Sequence, residues 1–542
     1  MANFKRLSMI LMTSCAGMTL AACDGADSVA SPGAGNVIIN PPATPSPTPT
    51  PTGTPTPTPI TSAQFAAATT QSGVSISTDE QLTLVTSGTN NNTNGTRGAL
   101  NGVYPTAATS LTTATNASTI NNFLQSTNFV GALNGPTDTA FQGWTCNSST
   151  AQFGGTGTAC TAVPAVATGG PGACPTGTTD DGPNTTTGTP AFRYCRLPQV
   201  ITGALSLPRV PGVVYRFRGQ TEVGVDGGTA GTLTIAAGVT LAADASEPTN
   251  DLLLVNRGST INAVGTVEQP IIITAQQNLV ANGVSDSSQG FWGGVILLGR
   301  APTGVCTGGV TNNADGTVAN CFNQIEGVTG RTYGGTAPAD SSGTMQYVQI
   351  RYSGIAISEG NELQGLTLGG TGTGTTIDHV QSHNSADDGI EIFGGTTNIR
   401  YFVVTGADDD GYDVDNGYRG FMQFIIAAQR TNGATADSFS TEIDSNGNED
   451  LLPRTFPRYV NFTFIQTAAT PGAFRLRGGA DGQFVNGVIQ SAVPCLNLIA
   501  GNTVNGAAAT GNDRSTVRPA NPTLQDNGPP VFTSTYFACS GR

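Results

Sequence analysis

Short runs of alternating apolar and polar residues fill the chain from about residue 210 onward. Residues 232–241 (TLTIAAGVTL) alternate with a period of two, and most of the segments that follow are bounded by glycine or asparagine. Strands this short and regular are typical of a solenoid, a barrel or a sandwich. The predicted strands are 232–241, 252–255, 259–263, 269–274, 295–298, 347–350, 366–368, 377–380, 399–404, 421–426, 459–465 and 484–489.

An internal repeat decides among these architectures. Residues 386–392 (ADDGIEI) match residues 408–414 (DDDGYDV) at an offset of 22 positions, since Ala386 aligns with Asp408. Each copy is an acidic turn with a glycine, followed by a strand in which apolar and acidic residues alternate. A repeat of this length corresponds to one coil of a β-solenoid.

Two later segments, 441–446 and 474–479, align with these coils. Because side chains alternate along a strand, every second position should point inward. The expected core column is Ile392, Val414, Ile443 and Leu476. The expected outward columns are Glu391, Asp413, Glu442 and Arg475 in one row, and Phe393, Asp415, Asp444 and Arg477 in the other.

The opening coils also resemble a known family. Residues 233–238 (LTIAAG), 256–266 (NRGSTINAVGT) and 270–274 (PIIIT) resemble the right-handed parallel β-helix, or pectin-lyase-like, proteins. Residues 292–299 (WGGVILLG) resemble a poorly characterised group of bacterial surface lipoproteins with this fold. The resemblance implies an all-β fold, a right-handed parallel β-helix. The cysteine-containing region before it has few strand signals, which predicts an irregular, disulfide-stapled N-terminal cap. Lyases, glycosidases and non-enzymatic adhesins share this scaffold, so the fold implies no activity.

The N-terminus reads as a targeting segment. Lys5 and Arg6 precede a mostly apolar stretch, 7–20, and residues 20–23 (LAAC) resemble a lipoprotein processing site. We expect a signal peptide over 1–22 and acylation, including palmitate, on Cys23. Residues 41–59 are rich in proline and threonine, which predicts a stiff tether of roughly 60 Å. The expected location is the cell envelope, lipid-anchored in the outer membrane and exposed at the surface.

Composition changes define the remaining boundaries. The predicted regions are the lipidated N-terminus and tether over 23–60, an irregular cap packed on the first coils over 61–205, the β-helix over 206–495, and a C-terminal cap or tail over 496–542.

Eight cysteines remain once Cys15 and Cys23 are set aside. An even number in an exported chain predicts disulfides. Eight cysteines allow about 105 pairings. The local loops favour the sequential one: Cys146–Cys160, Cys174–Cys195, Cys306–Cys321 and Cys495–Cys539.

Charge excludes one class of partner. Removing Lys5 and Arg6 from the 22 basic residues leaves 20 arginines against 36 acidic residues, a net charge of −16. Such a surface repels nucleic acid and favours cations, neutral ligands or basic proteins. The expected partners are the membrane, through Cys23, a polysaccharide, and an outer-membrane transporter.

The acidic column is the candidate site. Carboxylates stacked about 4.8 Å apart repel each other unless a cation, an arginine or a raised pKa offsets the charge. Calcium is the expected cofactor, and the turn acids 387–388 and 408–410 add oxygens nearby, although such residues also form turns by bonding their own backbone. The candidate ligands are Asp388, Glu391, Asp410, Asp413, Glu442 and Asp444.

Three functions are compatible with these residues. The first is an envelope protein that binds an extracellular ligand, a glycan being the favoured class, without catalysis; the lipoprotein group that it resembles commonly lacks an assigned activity. The second is a polysaccharide lyase or glycoside hydrolase acting on an acidic glycan, with Asp413, Asp415 and Arg475 as catalytic residues. The third is a structural envelope protein.

Two histidines and four aromatic residues are the remaining candidates. His379 and His383 are expected to be solvated or packed rather than catalytic. Four aromatic residues have the chemistry to stack on sugar rings, although aromatic residues in a solenoid more often pack in the core. They are Trp292, Tyr352, Tyr412 and Tyr418.

Overall fold

The computed structural model describes residues 114–498 and 520–539, apart from short gaps, together with the strand residues 60–61, 503–504 and 507–508. The gaps are 136, 156, 167–170, 185–190, 245–249, 359–360, 431–433, 436, 446–449, 468–469, 471, 478–479, 494 and 529. The predicted signal peptide, the acylation site and the tether lie outside the described residues. No helix in the described part of the chain is long and apolar enough to cross a membrane.

One wall of the molecule is a ten-stranded sheet in which all neighbouring strands are parallel. Each strand comes from a successive coil, as a solenoid requires. The strands are Val200–Ile201, Gln220–Val223, Leu252–Val255, Val295–Leu298, Leu366–Gly369, Ile390–Phe393, Tyr412–Asp415, Thr441–Ile443, Phe474–Leu476 and Leu496–Leu498.

The other two walls form one continuous sheet of seventeen strands. Long bent strands join the two walls. Gly343–Arg351, for example, pairs with Thr260–Val264 through its first half and with Ile271–Ala275 through its second. The strands are Thr179–Pro183, Arg193–Arg196, Gly203–Leu207, Val213–Phe217, Gly231–Ile235, Thr240–Ala243, Thr260–Val264, Ile271–Ala275, Gly343–Arg351, Thr376–His383, Asn398–Thr405, Phe421–Ala428, Arg458–Gln466, Gln483–Val485, Val488–Ser491, Val531–Thr533 and Tyr536–Cys539.

The remaining elements are small. Four two-stranded pairs are Ile60–Thr61 with Ala151–Gln152, Asn323–Gln324 with Thr332–Tyr333, Ile355–Ser358 with Asn361–Leu363, and Thr503–Val504 with Ala507–Ala508. The helical elements among the described residues are 3-10 turns at Ala117–Thr119, Gln276–Leu279, Thr307–Gly309 and Pro522–Leu524. The predicted all-β parallel β-helix is therefore confirmed.

The core runs along the axis of the coils. Ile392, Val414, Ile443 and Leu476 are fully buried in one continuous apolar cluster, as predicted. They occupy one register position on four neighbouring strands. Apolar residues at alternate positions close this core on every coil, which is the main stabilising contribution expected of a solenoid.

The parallel pairing extends past the predicted boundaries of 206 and 495. At the N-terminal end, Arg193–Arg196 already pairs in parallel with Val213–Phe217. At the C-terminal end, Tyr536–Cys539 pairs in parallel with Val488–Ser491. Segments that composition assigned to the cap and the tail thus contribute strands to the solenoid.

Each long strand from Gly343–Arg351 to Arg458–Gln466 bends at a residue with left-handed backbone, and Asn486 holds the same position between Gln483–Val485 and Val488–Ser491. These residues have φ between 49° and 58° and form one column: Tyr347, His379, Tyr401, Phe424, Asn461 and Asn486. Left-handed backbone costs about 1–2 kcal/mol for a residue other than glycine. The stacked rings offset this cost, since neighbouring ring centroids lie 4.5, 4.3 and 4.7 Å apart from Tyr347 to Phe424.

Residues 114–160, which we call the strap, lie along the flank of the solenoid instead of only on its first coils. Amide side chains from several coils bind the strap backbone. Gln381 accepts from the Cys146 N–H at 2.7 Å, Gln423 accepts from the Gln125 N–H at 2.8 Å, and Asn486 accepts from the Thr115 N–H at 2.7 Å. The packing of this part of the predicted cap therefore differs from the prediction.

Three predicted disulfides are present: Cys146–Cys160, Cys174–Cys195 and Cys306–Cys321. Cys495 is also disulfide-bonded. The side chain of its predicted partner, Cys539, lies outside the described part of the structure.

Candidate functional site

The acidic column forms as the sequence predicts. Glu391 pairs in register with Asp413, Asp413 with Glu442, and Glu442 with Arg475 along the ten-stranded sheet. Asp387 and Asp388 lie in the turn before the strand Ile390–Phe393, and the acids of the next coil occupy the same place. The repeat thus brings two acidic turns and two acidic strands together.

Close contacts with other parts of the chain explain why each acidic turn carries a glycine. A Cβ on Gly411 would lie 2.5 Å from the backbone oxygen of Ser440, and one on Gly389 would lie 2.2 Å from a methyl group of Val404. The Asp410 N–H donates to Asp388 Oδ1 at 2.9 Å, which ties the two turns to each other.

The acidic face is covered, not open. Glu391 is 0% exposed, and Asp388 is 3% exposed. One cover is the segment around Thr435 and Phe439: the Thr435 hydroxyl donates to Asp409 at 3.0 Å, and the Phe439 N–H donates to Asp410. A second cover is the loop that carries Glu326, whose carboxyl group lies near Glu391. Glu326 accepts a hydrogen bond from the Glu362 N–H at 3.1 Å.

The arginines neutralise one end of the column. Arg475 lies 3.2 Å from Glu442 and 2.8 Å from Asp437. Arg477 lies 3.0 Å from Glu442 and 2.7 Å from Asp444. Arginine pairing, one of the three expected ways to offset the stacked charge, therefore operates at this end, to which Glu442 and Asp444 belong.

At the other end of the acidic column, the carboxyl groups lack an arginine partner among the described residues. Within the described residues, neither oxygen of Glu391 has a hydrogen-bond partner, and the same holds for Asp413 Oδ1, Asp409 Oδ2 and Asp410 Oδ2. Burial, and then the charges of neighbouring acids, raises the pKa of Glu391, Asp388 and Asp413 well above the ordinary range. The same causes raise the pKa of Asp387 to about 8.

Two sets of carboxylate oxygens converge at this end. One oxygen each from Asp388, Glu391 and Asp413 lie within 4.8 Å of one another, and so do oxygens from Asp387, Asp388 and Asp409. Three of the predicted ligands, Asp388, Glu391 and Asp413, are therefore gathered here, and a fourth, Asp410, contacts Asp388 through its backbone N–H. Sequence reasoning missed Glu326 and Glu362, because no local pattern links their loops to the acidic repeat.

A comparison with protein families agrees with the coil architecture. Residues 209–526, more than half of the 542-residue chain, match the pectate-lyase-like β-helix domain. The chain belongs to this family. A search with this chain matches no curated protein and no solved structure.

The candidate catalytic residues of this β-helix are shielded from solvent. Asp413, Asp415 and Arg475 are 2%, 0% and 8% exposed. Burial by itself would lower the pKa of Arg475, but the neighbouring carboxylates of Glu442 and Asp437 raise it above the ordinary value. A paired guanidinium of this kind is a poor general base, since a base must lose its proton readily.

The two histidines of the β-helix are packed, as expected. His383 is fully buried, and this burial lowers its pKa to about 3, so its ring is neutral. His379 is part of the aromatic column, with its ring 4.3 Å from that of Tyr401.

The four aromatic residues considered for sugar stacking belong to the core. Trp292, Tyr352, Tyr412 and Tyr418 are all fully buried. The indole N–H of Trp292 donates to the Arg351 carbonyl at 2.9 Å, and the Tyr412 hydroxyl donates to the Phe402 carbonyl at 2.8 Å. These contacts favour core packing over sugar stacking.

A different surface of the β-helix offers aromatic rings beside polar groups. A cavity of about 620 Å³ opens between the strap and the aromatic column, and we call it the flank groove. Its lining includes the rings of Phe129, Tyr401 and Phe424. Its polar lining is Gln125, Ser126, Thr127, Asn128, Asn134 and Asp138. Sequence reasoning missed this groove because its two sides lie far apart in the chain.

Proposed function

We propose that the protein is a lipid-anchored cell-envelope β-helix that binds an extracellular glycan without catalysing its cleavage. The flank groove is the observation that carries this proposal. Its volume of about 620 Å³ falls within the range of about 300–1,000 Å³ common for small-ligand sites, so it has room for a few sugar units.

The lining of the groove suits a neutral sugar. Gln125, Asn128 and Asn134 are exposed, so their amide groups are available to sugar hydroxyls. Tyr401 and Phe129 are partly exposed and contribute aromatic carbon for the C–H face of a sugar ring. A carbohydrate ligand is also the class that the family description favours.

Burial of the acidic residues supports binding over catalysis. A lyase or glycosidase must bring a polymer into contact with its acid and base. The covers over Asp413 and Asp415, together with the ion pairs of Arg475, oppose such contact.

The N-terminal segment supports attachment to the envelope. Several acyl chains on Cys23 would make membrane attachment stable, whereas a single chain gives only marginal binding. The proline-rich tether would hold the β-helix away from the bilayer, where it could meet extracellular glycans or dock on an outer-membrane transporter.

A polysaccharide panel tests this proposal. The full chain with Cys23→Ser, which removes the acylation site, would be titrated with neutral and acidic polysaccharides by calorimetry while products are assayed in parallel. We expect binding without product formation, and we expect Tyr401→Ala and Asn134→Ala each to weaken binding about tenfold, the loss of roughly one good contact.

An exposed aromatic residue elsewhere provides the matched control. Phe322 is 38% exposed and lies outside the groove lining, so Phe322→Ala should leave binding unchanged. Turnover that disappears in Asp413→Asn would instead establish the enzyme, and binding that persists in both groove variants would place the glycan elsewhere.

A further inference from the structure

The acidic cluster contains more buried carboxyl groups than the arginines of the described residues pair with. Glu442 and Asp444 pair with Arg475 and Arg477. Among the described residues, Glu391 has no hydrogen-bond partner for either oxygen although it is 0% exposed. An unpaired carboxylate in a water-excluded site is costly, so a buried group of this kind points to a ligand that the polypeptide does not supply.

The oxygen spacing matches one class of ligand. Oxygens bound to a single Ca²⁺ at about 2.3–2.6 Å lie at most about 5 Å apart. Asp388, Glu391 and Asp413 each place an oxygen within 4.8 Å of the other two, and Asp387, Asp388 and Asp409 do the same. Both sets consist of oxygen ligands only, and Asp388 belongs to both.

We propose that these two sets bind two Ca²⁺ ions, with Asp388 bridging them. Its partners are Glu391 and Asp413 at the first site and Asp387 and Asp409 at the second. Two ions supply a charge of +4 against the −5 of the five carboxylates, which removes most of the repulsion within the cluster.

The ligand set favours calcium over other divalent ions. Zinc prefers nitrogen and sulfur ligands, which neither triad contains. Magnesium requires near-octahedral geometry at about 2.0–2.1 Å and keeps several waters, which a fully buried cluster disfavours. Calcium accepts irregular sets of six to eight oxygens, so carboxylates that bind through one or both oxygens suit it.

The ions would connect neighbouring coils. The first triad joins the strand Ile390–Phe393 to the strand Tyr412–Asp415, and the second joins the acidic turns of the same two coils. Thr435 and Phe439 bind Asp409 and Asp410, so the cover over the face rests on ion ligands and their neighbours. Calcium would thereby stabilise the coils and the cover together, independently of any glycan.

The number of bound calcium ions tests whether the two sites share Asp388. The full chain with Cys23→Ser would be treated with chelator, dialysed and titrated with calcium alone, with bound ions counted by native mass spectrometry. We expect two ions in the parent protein, one in Glu391→Gln, one in Asp409→Asn and none in Asp388→Asn. Asp315→Asn, at an exposed acid outside the cluster, should retain two ions.

Thermal stability provides a second readout, which remains usable even if Asp388→Asn does not fold. Calcium should raise the Tm of the parent protein by about 5 °C or more at saturation. In chelator, Glu391→Gln should be at least as stable as the parent protein, because an amide replaces a buried carboxyl group. In calcium, the same variant should be less stable than the parent protein.

Several outcomes would overturn the proposal. No bound calcium and an unchanged Tm would refute the calcium sites outright. One ion in the parent protein would refute the shared Asp388. Two ions in Asp388→Asn would place the calcium elsewhere in the chain.

Discussion

Residues of the same type in one column have opposite electrostatic surroundings. Glu391 and Glu442 both point outward from the ten-stranded sheet, two coils apart. Glu442 faces Arg475 and Arg477, whereas Glu391 faces Glu326, Asp413 and Asp388. Position along the column, and not residue type, therefore decides which carboxylate is paired.

The raised pKa values predict an unusual dependence of stability on pH for protein without calcium. Asp387 has a pKa of about 8 against an ordinary value of 3.8, and the pKa values of Asp388, Glu391 and Asp413 are raised as well. A raised folded-state pKa contributes stability that is complete below the unfolded pKa and is lost as pH rises through the folded pKa. Because the ordinary pKa is 3.8 and that of Asp387 is about 8, the free energy of unfolding in chelator should fall as pH rises from about 4 to about 8.

Calcium should reverse this trend. Bound Ca²⁺ requires ionised carboxylates, so stability in calcium should hold at the alkaline end and fall in acid. Urea unfolding at several pH values, with calcium and with chelator, measures both trends. Identical pH profiles in the two conditions would contradict the role that we assign to the cluster.

At the scale of the elements, the bent strands organise two surfaces at once. Their left-handed residues stack rings on the flank, where Tyr401 and Phe424 line the flank groove. Nearby outward amides bind the strap, whose residues form the opposite side of the groove. The groove therefore depends on the strap remaining attached.

We predict that Gln381→Ala destabilises the protein by about 2–3 kcal/mol. Gln381 accepts from the Cys146 N–H at 2.7 Å and donates to the Cys146 carbonyl at 3.2 Å. Without the Gln381 side chain, the backbone of Cys146, a residue that is only 1% exposed, loses both hydrogen bonds. The free energy of unfolding from urea titration measures this loss.

Gln490 provides the control for this change. It also lies in a strand of the seventeen-stranded sheet, but its side chain is exposed. Gln490→Ala should change stability by less than about 0.5 kcal/mol. Equal losses in the two variants would show that the strap contacts contribute little.

At the scale of the whole molecule, the strap connects distant coils. Thr115 is bound by Asn486 near the C-terminal end, and the Cys160 carbonyl is bound by Arg351 at 3.0 Å on an earlier coil. The disulfide Cys146–Cys160 fixes the latter end. A repeat architecture has mainly neighbour contacts, so a strap of this kind adds coupling between coils that the repeats alone lack.

The proposed membrane attachment is tested in cells. Cys23→Ser should move the protein from the membrane fraction to the soluble fraction, because the acylated cysteine is the proposed anchor. Cys15→Ser, a matched change within the predicted signal peptide, should leave the protein in the membrane fraction and labelled by a palmitate analogue. Membrane association that survives Cys23→Ser would refute the lipoprotein proposal.

The sequence by itself determined the coil and the order of its columns. Period-two alternation and a 22-residue repeat are local patterns, so they predicted the core position of Val414 and the alignment of Asp413 with Glu442 and Arg475. Stacking in a solenoid converts an offset along the chain directly into proximity between coils.

Only the tertiary structure decided which surfaces are buried and which are open. Glu326 and Thr435 come from irregular segments that cover the acids, and no periodicity predicts where such segments fold. The flank groove likewise brings Gln125 of the strap together with Tyr401 and Phe424 of the solenoid, which lie far away in the sequence. Exposure depends on contacts between segments distant in the chain, and for that reason the sequence identified the acids but not their burial, and missed the groove.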